Sequence, residues 1–261
     1  MYLDINNIEL AFGSALDQVS VLSNICMDVP LGGFVSLVGA SGSGKTSILN
    51  LIAGLLEPTS GEIIINGQTP REAREDRKIG FIFQQPVLFG WRNVLENVQL
   101  PGEILRSPDV LASARDFIKL VGLEGHEKRY PHEVSGGMQS RVAIARALAP
   151  QPQLLLMDEP FADLDELTRE WMNLELLRIW RETGTTIIFV THSLEEAVFL
   201  SDTVHVLGGK PATIVKTIDV ELPRPRSTDM IDDALYLSLV RSARRSLREH
   251  VAATLNGVKV R

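Results

Sequence analysis

The residues best placed to do chemistry lie in one glycine-rich stretch, Gly39-Ala40-Ser41-Gly42-Ser43-Gly44-Lys45-Thr46. The pattern G-x-x-x-x-G-K-[ST] suits a phosphate-binding loop when a strand leads in and a helix leads out. Residues 34–38 read as a buried strand and residues 47–53 as a helix, so both conditions hold. Gly39, Gly42 and Gly44 admit backbone conformations that a Cβ penalises. Successive N–H groups, those of Ser41 and Ser43 included, can then turn inward around an anion. The helix adds its positive end and its unpaired N–H groups. Lys45 is expected to reach the β- and γ-phosphates of a nucleotide, and Thr46 to offer its hydroxyl to Mg²⁺. A loop that merely turns the chain is the competing reading, and it leaves the strand, the Lys-Thr pair and the helix unexplained.

Hydrolysis at such a site needs a metal holder and a group that activates water. Asp158 follows the apolar run Leu154-Leu155-Leu156-Met157 and is the expected holder of Mg²⁺, mostly through water. Glu159 comes next. Strand alternation would point it elsewhere, which makes it the candidate general base. Ser135-Gly136-Gly137-Met138-Gln139 opens a helix with bare N–H groups, either as a second anion site or as an ordinary capped start. One chain does not need two γ-phosphate sites, so as an anion site it would face the nucleotide of another copy. His192 ends a strand, where it either bonds backbone or orients water at a γ-phosphate. Gln84, at another strand end, is a candidate sensor of metal or water. Phe12 either stacks on adenine or joins the core.

The elements that must position these residues form two kinds of region. Residues 2–12 and 19–29 alternate as strands, the second broken near Asn24, and residues 62–66 and 78–83 add two more. From 84 to about 150 the pattern turns helical. A short helix from Asn93 is expected to close at Pro101-Gly102, one starts at Ser107-Pro108, and one is capped by Ser135. Leu167, Trp171, Leu174 and Leu177 mark a further helix, ended by Gly184. Ser193 and Glu196 suggest a capping box. Leu222-Pro223-Arg224-Pro225-Arg226 reads as a stiff linker before a terminal helix, in which Arg241, Arg244, Arg245 and Arg248 share one face.

Composition narrows the class. A net charge of −7 argues against nucleic-acid binding by the surface as a whole. No apolar run approaches the ~18 residues that span a bilayer, and no basic-then-apolar leader is visible, so a cytoplasmic protein is expected. Cys26, the lone cysteine, cannot form an intramolecular disulfide and is expected in the core.

Taken in order, Gly39–Thr46, Gln84, Ser135–Gln139, Leu154–Glu159, Ala162–Asp165 and His192 resemble the ATP-binding subunit of ABC transporters. They match its Walker A motif, Q-loop, signature, Walker B motif, D-loop and H-loop. The resemblance implies an α/β fold: a P-loop NTPase (RecA-like) core with an N-terminal antiparallel β subdomain and an inserted helical subdomain. It divides the chain into an ATPase domain over 1–220, with the helical subdomain at about 84–150, and a linker and helical tail over 221–261. It implies ATP and Mg²⁺ as cofactors and a head-to-tail dimer. Ser135, Gly136, Gly137, Gln139 and Asp165 of one copy would face the ATP held by the other. Thr46, Gln84 and Asp158 would serve the metal, and Glu159, His192 and Gln84 would serve catalysis. Separate permease subunits would be the membrane partners, placing the chain at the cytoplasmic face, with a solute-binding protein acting indirectly. The stretch from Phe83 to Val98 and the 222–226 tail look like the nitrate/sulfonate/taurine importer group. A soluble ABC-type ATPase not coupled to transport is the alternative. The chain departs from the family at Asp163, where a small residue is usual, and at Phe12, where Tyr is common.

Overall fold

Runs that are apolar throughout become strands buried on both faces, and runs that alternate become a sheet with one wet face. The computed structural model describes residues 1–13 and 17–257, with side chains as far as His250. In chain order the elements are β1 (Leu3–Phe12), β2 (Val19–Val29), β3 (Phe34–Gly39), α1 (Lys45–Ile52), β4 (Ser60–Ile65), α2 (Pro70–Glu75), β5 (Ile79–Ile82), α3 (Val94–Leu105), α4 (Pro108–Leu120), α5 (Gly136–Leu148), β6 (Leu154–Asp158), α6 (Glu166–Thr183), β7 (Thr186–Thr191), α7 (Leu194–Leu200), β8 (Thr203–Gly208), β9 (Thr213–Asp219) and α8 (Ala234–Gly257). They pack into two compact units, Met1–Glu75 with Thr186–Arg261, and Asp76–Thr185.

The first unit holds an antiparallel sheet in the order β2-β1-β4. It also holds β3 flanked by β7 and β8 in parallel, with β9 antiparallel on β8. Every residue of β3 and β7 is buried. Their polar members are satisfied locally: the Thr186 hydroxyl accepts from the Gly32 N–H at 2.9 Å, and Ser36 and Ser201 bond through their hydroxyls.

In β2 the inward positions are Leu22, Ile25, Met27 and Val29. The step from 22 to 25 is odd because the pairing with β1 slips there, with Asn24 at φ 50°. A slip of one residue exchanges the two faces of a strand. Cys26, in phase with Leu22 along the sequence, is therefore exposed rather than in the core, and its thiol donates to Asn7 Oδ1 at 3.3 Å.

The second unit holds β5 and β6 in parallel and helices α3 to α6. Between residues 84 and 150 every regular element is helical. α3 does not close at Pro101-Gly102 but runs on to Leu105 with Pro101 inside. An interior proline costs about 3 kcal/mol, and two features of this helix offset it. Asn93 and Glu96 form a full capping box, each backbone N–H donating to the other's side chain at 2.9 Å. Gly102 lets α4 approach so closely that a Cβ there would sit 2.9 Å from Leu111.

α6 also differs from its apolar spacing. Its buried residues include Met172, Leu176 and Ile179, whereas Leu167 and Trp171 are 78% and 42% exposed. Trp171 carries the Arg141 guanidinium over its ring, 4.1 Å from the centroid.

The expected basic face of α8 is partly neutralised, since Arg244 pairs with Glu195 and Arg245 with Glu249. No helix among the described residues is long and apolar enough to cross a membrane.

β8 buries a histidine, His205. His205 Nδ1 bonds the Thr217 hydroxyl at 2.9 Å, while Nε2 is buried without a hydrogen bond among the described residues. Burial pulls the imidazole down from 6.5 to about 4, with the Asp219 charge opposing. Below pH 6.5 the unfolded chain takes up a proton that the folded chain refuses. Stability from this group is therefore whole above pH 6.5 and falls as pH drops from 6.5 towards 4. The slope is at most about 1.4 kcal/mol per pH unit. His205→Gln keeps a partner for Thr217 and removes the titration. Its urea midpoint should change less between pH 7 and pH 4.5 than the wild-type midpoint does.

Candidate functional site

In the first unit the glycine loop leaves the carboxyl end of β3 and enters α1, whose N-cap is Gly44 in the left-handed region at φ 80°. A side chain at Gly44 would strike Leu22, and one at Gly39 would sit 2.5 Å from Ser43 Oγ and 3.0 Å from the Leu207 carbonyl. Packing therefore requires glycine at both positions, and at Gly44 the left-handed backbone requires it as well.

Lys45 is buried and folds back over the loop, donating to the carbonyls of Gly39 at 3.0 Å and Ala40 at 3.2 Å. Its ammonium thus sits inside the cradle. Ser43 Oγ is buried with no hydrogen bond among the described residues, an orphan polar atom that an anion would satisfy. No acidic side chain occupies the first turn of α1, and Thr46 is exposed there. Loop, ammonium and orphan hydroxyl fit a phosphate group.

Parallel pairing places His192 at the same edge. Val38 is opposite Thr191, so the residue after each strand leaves the sheet side by side, at the carboxyl ends where α/β sheets bind ligands. The turn at His192 is tightly held. Thr191 Oγ1 accepts from the Ser193 N–H at 3.0 Å and donates to the Glu196 carboxylate. Ser193 caps α7 by accepting from the Glu196 N–H at 3.1 Å. The expected reciprocal bond of a capping box is replaced, because the Glu196 carboxylate turns to Thr191. Phe12, at the end of β1, is 46% exposed rather than buried in the core.

In the second unit the same register logic groups Gln84 with the acidic pair. Ile82 of β5 is opposite Met157 of β6, so Gln84 and Glu159 each lie two residues past paired positions. β6 ends at Asp158, and Glu159 takes φ 46°. Strand alternation therefore does not separate the two carboxylates; a left-handed turn does, at about 1–2 kcal/mol for a residue with a Cβ.

Ser135 caps α5, accepting from the Met138 N–H at 3.3 Å, and the first turn of α5 carries no acid. Gly136 is exposed, Gly137 is buried close to Thr168, and Gln139 donates to the Pro131 carbonyl at 2.9 Å. Asp165 caps α6, accepting from the Thr168 N–H at 3.0 Å and its hydroxyl at 2.6 Å, which hold its carboxyl below the usual range. Asp163 is exposed.

Three residues with no role assigned by the motifs, Arg146, Ser140 and Arg169, tie these pieces together within this unit. Arg146, near the end of α5, donates to the carbonyls of Pro86 and Val87, both at 2.8 Å. It thereby holds the segment after Gln84, where Val87 sits at φ 46°, a costly region for a β-branched residue. Ser140 donates to the Pro160 carbonyl at 3.4 Å, next to Glu159. Arg169 donates to the Leu164 carbonyl at 2.7 Å and the Phe161 carbonyl at 3.3 Å, bracing the 162–165 loop. Each partner is remote in sequence or is a main-chain oxygen, so no residue pattern announces it.

On either side of Gln84 the chain exposes Phe83, Val87 and Trp91, the last at 74%. The loop behind Trp91 is fixed by buried Asn97, which accepts from the Phe89 N–H at 2.9 Å and donates to the carbonyls of Arg92 at 2.9 Å and Asn93 at 3.0 Å.

A strand, a glycine loop closed by Lys-Thr and a helix, with an acid-tipped strand elsewhere in the chain, define a P-loop nucleotide-binding protein. The family model described as ABC transporter matches residues 22–162. The aliphatic sulfonates import ATP-binding protein SsuB of Bacillus cereus is 44% identical over 87% of this chain and 89% of its own length. The nitrate import ATP-binding protein NrtD of Synechocystis is 42% identical over 87% and 86%. A dimeric ATP-binding cassette in a post-hydrolysis state, bound to ADP and Pi, superimposes with a TM-score of 0.71 at 32% identity, covering 85% of this chain and all of that one. The chain belongs to the ABC transporter family.

Proposed function

We propose that this chain is the ATP-binding and ATP-hydrolysing subunit of an import system for a small oxyanion of the nitrate or sulfonate class, taurine included. The observation that carries the reading is the presence, on one chain, of two helix starts free of acidic side chains, each suited to a phosphate. One is the Lys45 cradle and the other is the bare start of α5 behind Ser135. Two such elements per chain suit two chains that sandwich two nucleotides. The similarity to import subunits for sulfonates and nitrate supports the solute class.

In this reading residues 1–220 form the ATPase domain, with a helical subdomain at about 84–150, and 221–261 form a tail. ATP lies with its phosphates on Gly39–Thr46 and its adenine against Phe12. Thr46 and Asp158 are hard oxygen donors suited to Mg²⁺, Gln84 would serve the same metal, and the metal would offset charge on the phosphates. Glu159 takes the proton of the attacking water, and His192 orients that water at the γ-phosphate. Ser135, Gly136, Gly137, Gln139 and Asp165 arrive from a second copy. Phe83, Val87 and Trp91 form an apolar surface for separate permease subunits, so the chain works peripherally at the cytoplasmic face of a membrane. A solute-binding protein on the other side is reached only through the permease.

The test is to copurify the chain with its permease and measure phosphate release as a binding protein loaded with nitrate, taurine or an alkanesulfonate is added. One of these should raise turnover, and the chain should sediment with membranes only when the permease is present. A chain that hydrolyses no ATP, or stays wholly soluble beside its permease, would overturn the reading.

A further inference from the structure

His192 must be placed accurately if it is to orient water, yet it sits on a short turn between β7 and the seven-residue helix α7. That helix is gripped at both ends by the part of the chain that follows the ATPase core. At its carboxyl end Arg226, buried, donates to the carbonyls of Val198 at 3.0 Å, Phe199 at 2.6 Å and Ser201 at 2.6 Å. These are oxygens that a helix end leaves without partners. Arg224 adds a bond to the Leu200 carbonyl at 2.9 Å and one to Asp202 Oδ1 at 2.7 Å. Asp202 Oδ2 in turn accepts from the Phe34 N–H at 3.0 Å, at the start of the strand that leads to the glycine loop. The 222–226 segment, which reads as a linker, is thus a clasp.

The other grip falls on the first turn of α7. Tyr236, Val240 and Ala243 line the buried face of α8. From that face the Tyr236 hydroxyl donates to the Glu195 carbonyl at 3.0 Å. The Arg244 guanidinium pairs with the Glu195 carboxylate. The other oxygen of the same carboxylate accepts from the Ser193 hydroxyl at 3.4 Å, and Ser193 is the residue after His192. The chain of contacts therefore runs from α8 through Glu195 and Ser193 to the His192 turn.

We propose that the tail from residue 222 onward is a positioning strap for His192, with Glu195, Tyr236 and Arg244 as its working contacts. The inference rests on the role given to His192 in the proposed function. It differs from a merely stabilising tail in what it predicts. Arg244 and Glu195 are half-exposed, so their pair contributes little to folding and can be reversed without loss of the fold.

The experiment uses the full chain with its permease. Arg244→Glu is expected to lower kcat about fivefold, the rate equivalent of a good surface ion pair. The KM for ATP should stay unchanged, and the thermal midpoint should fall by no more than about 2–4 °C, the equivalent of one surface ion pair. The reversed pair, Glu195→Arg with Arg244→Glu, should restore kcat. Tyr236→Phe, which loses only the hydroxyl, should act in the same direction as Arg244→Glu. In nucleotide-free protein the His192 imidazole resonance should move in Arg244→Glu and return in the reversed pair.

An unchanged kcat together with an unmoved resonance overturns the proposal. So does a fall in kcat that the reversed pair leaves uncorrected. Should the wild type show no ATP hydrolysis, the proposed function fails, and the resonance still decides the strap by itself.

Discussion

Glu159→Gln should reduce ATP turnover to background while the protein still binds ATP. General bases contribute about 10²–10⁴-fold, and a carboxamide of the same size and shape cannot accept the proton. The substitution leaves the local structure in place. Glutamine occupies the same left-handed backbone position at φ 46°, and the turn that follows is held by the Ala162 N–H to the Glu159 carbonyl at 3.2 Å, which needs no side chain. With chemistry blocked and binding intact, the proposed dimer should accumulate with ATP trapped between its halves. Phosphate release, nucleotide binding and size-exclusion chromatography in ATP check the three parts separately. Turnover within a factor of about ten of wild type would remove Glu159 from the role of base, since a base contributes about 100-fold or more.

What could be seen in the sequence was whatever is encoded by near neighbours. The glycine loop, its strand and its helix are contiguous, so spacing alone located the cradle and Lys45. β6 up to Asp158 and the interior of β7 ahead of His192 are apolar runs, which marks them as central, and the residues that follow must then leave the sheet at its carboxyl edge.

Features decided by packing between distant segments stayed hidden. Pro101 signals a stop, but Gly102 against Leu111 carries α3 four residues beyond it, to Leu105. Leu167 and Trp171 follow helical spacing, but the neighbours of α6 cover Met172, Leu176 and Ile179 instead. Cys26 depends on a slip at Asn24 that only the pairing with β1 reveals. The bracing of the candidate site is of the same kind. Arg146 reaches Pro86, and Arg226 reaches Val198. In both cases a charged side chain meets a carbonyl, and a carbonyl has no signature because every residue has one. Motifs therefore name the groups that touch a ligand, while the groups that hold those in place need coordinates.

Gly136→Asp separates the two halves of the proposed sandwich. Gly136 is exposed at the start of α5, and the nearest atom to an added Cβ is a Leu164 methyl at 3.6 Å, an ordinary contact. Its φ does not fall in the left-handed region that favours glycine. An acid in the first turn of a helix is itself mildly favourable, by about 0.3–1 kcal/mol. The fold should therefore be unharmed, and ATP binding by the isolated subunit, which depends on Lys45 and its loop, should match wild type. In the dimer the new carboxylate would face the γ-phosphate of the ATP on the other copy. Like charges about 4 Å apart repel by about 4 kcal/mol at an effective dielectric of 20. That is about a thousandfold in rate, and turnover should fall on that scale. Gly136→Ala fills the same space without charge and should stay within a few-fold of wild type. If alanine were as damaging as aspartate, sterics rather than an anion would explain the bare helix start. If the isolated subunit lost ATP binding, the α5 start would belong to its own chain's nucleotide, and the two-copy site would have to be given up.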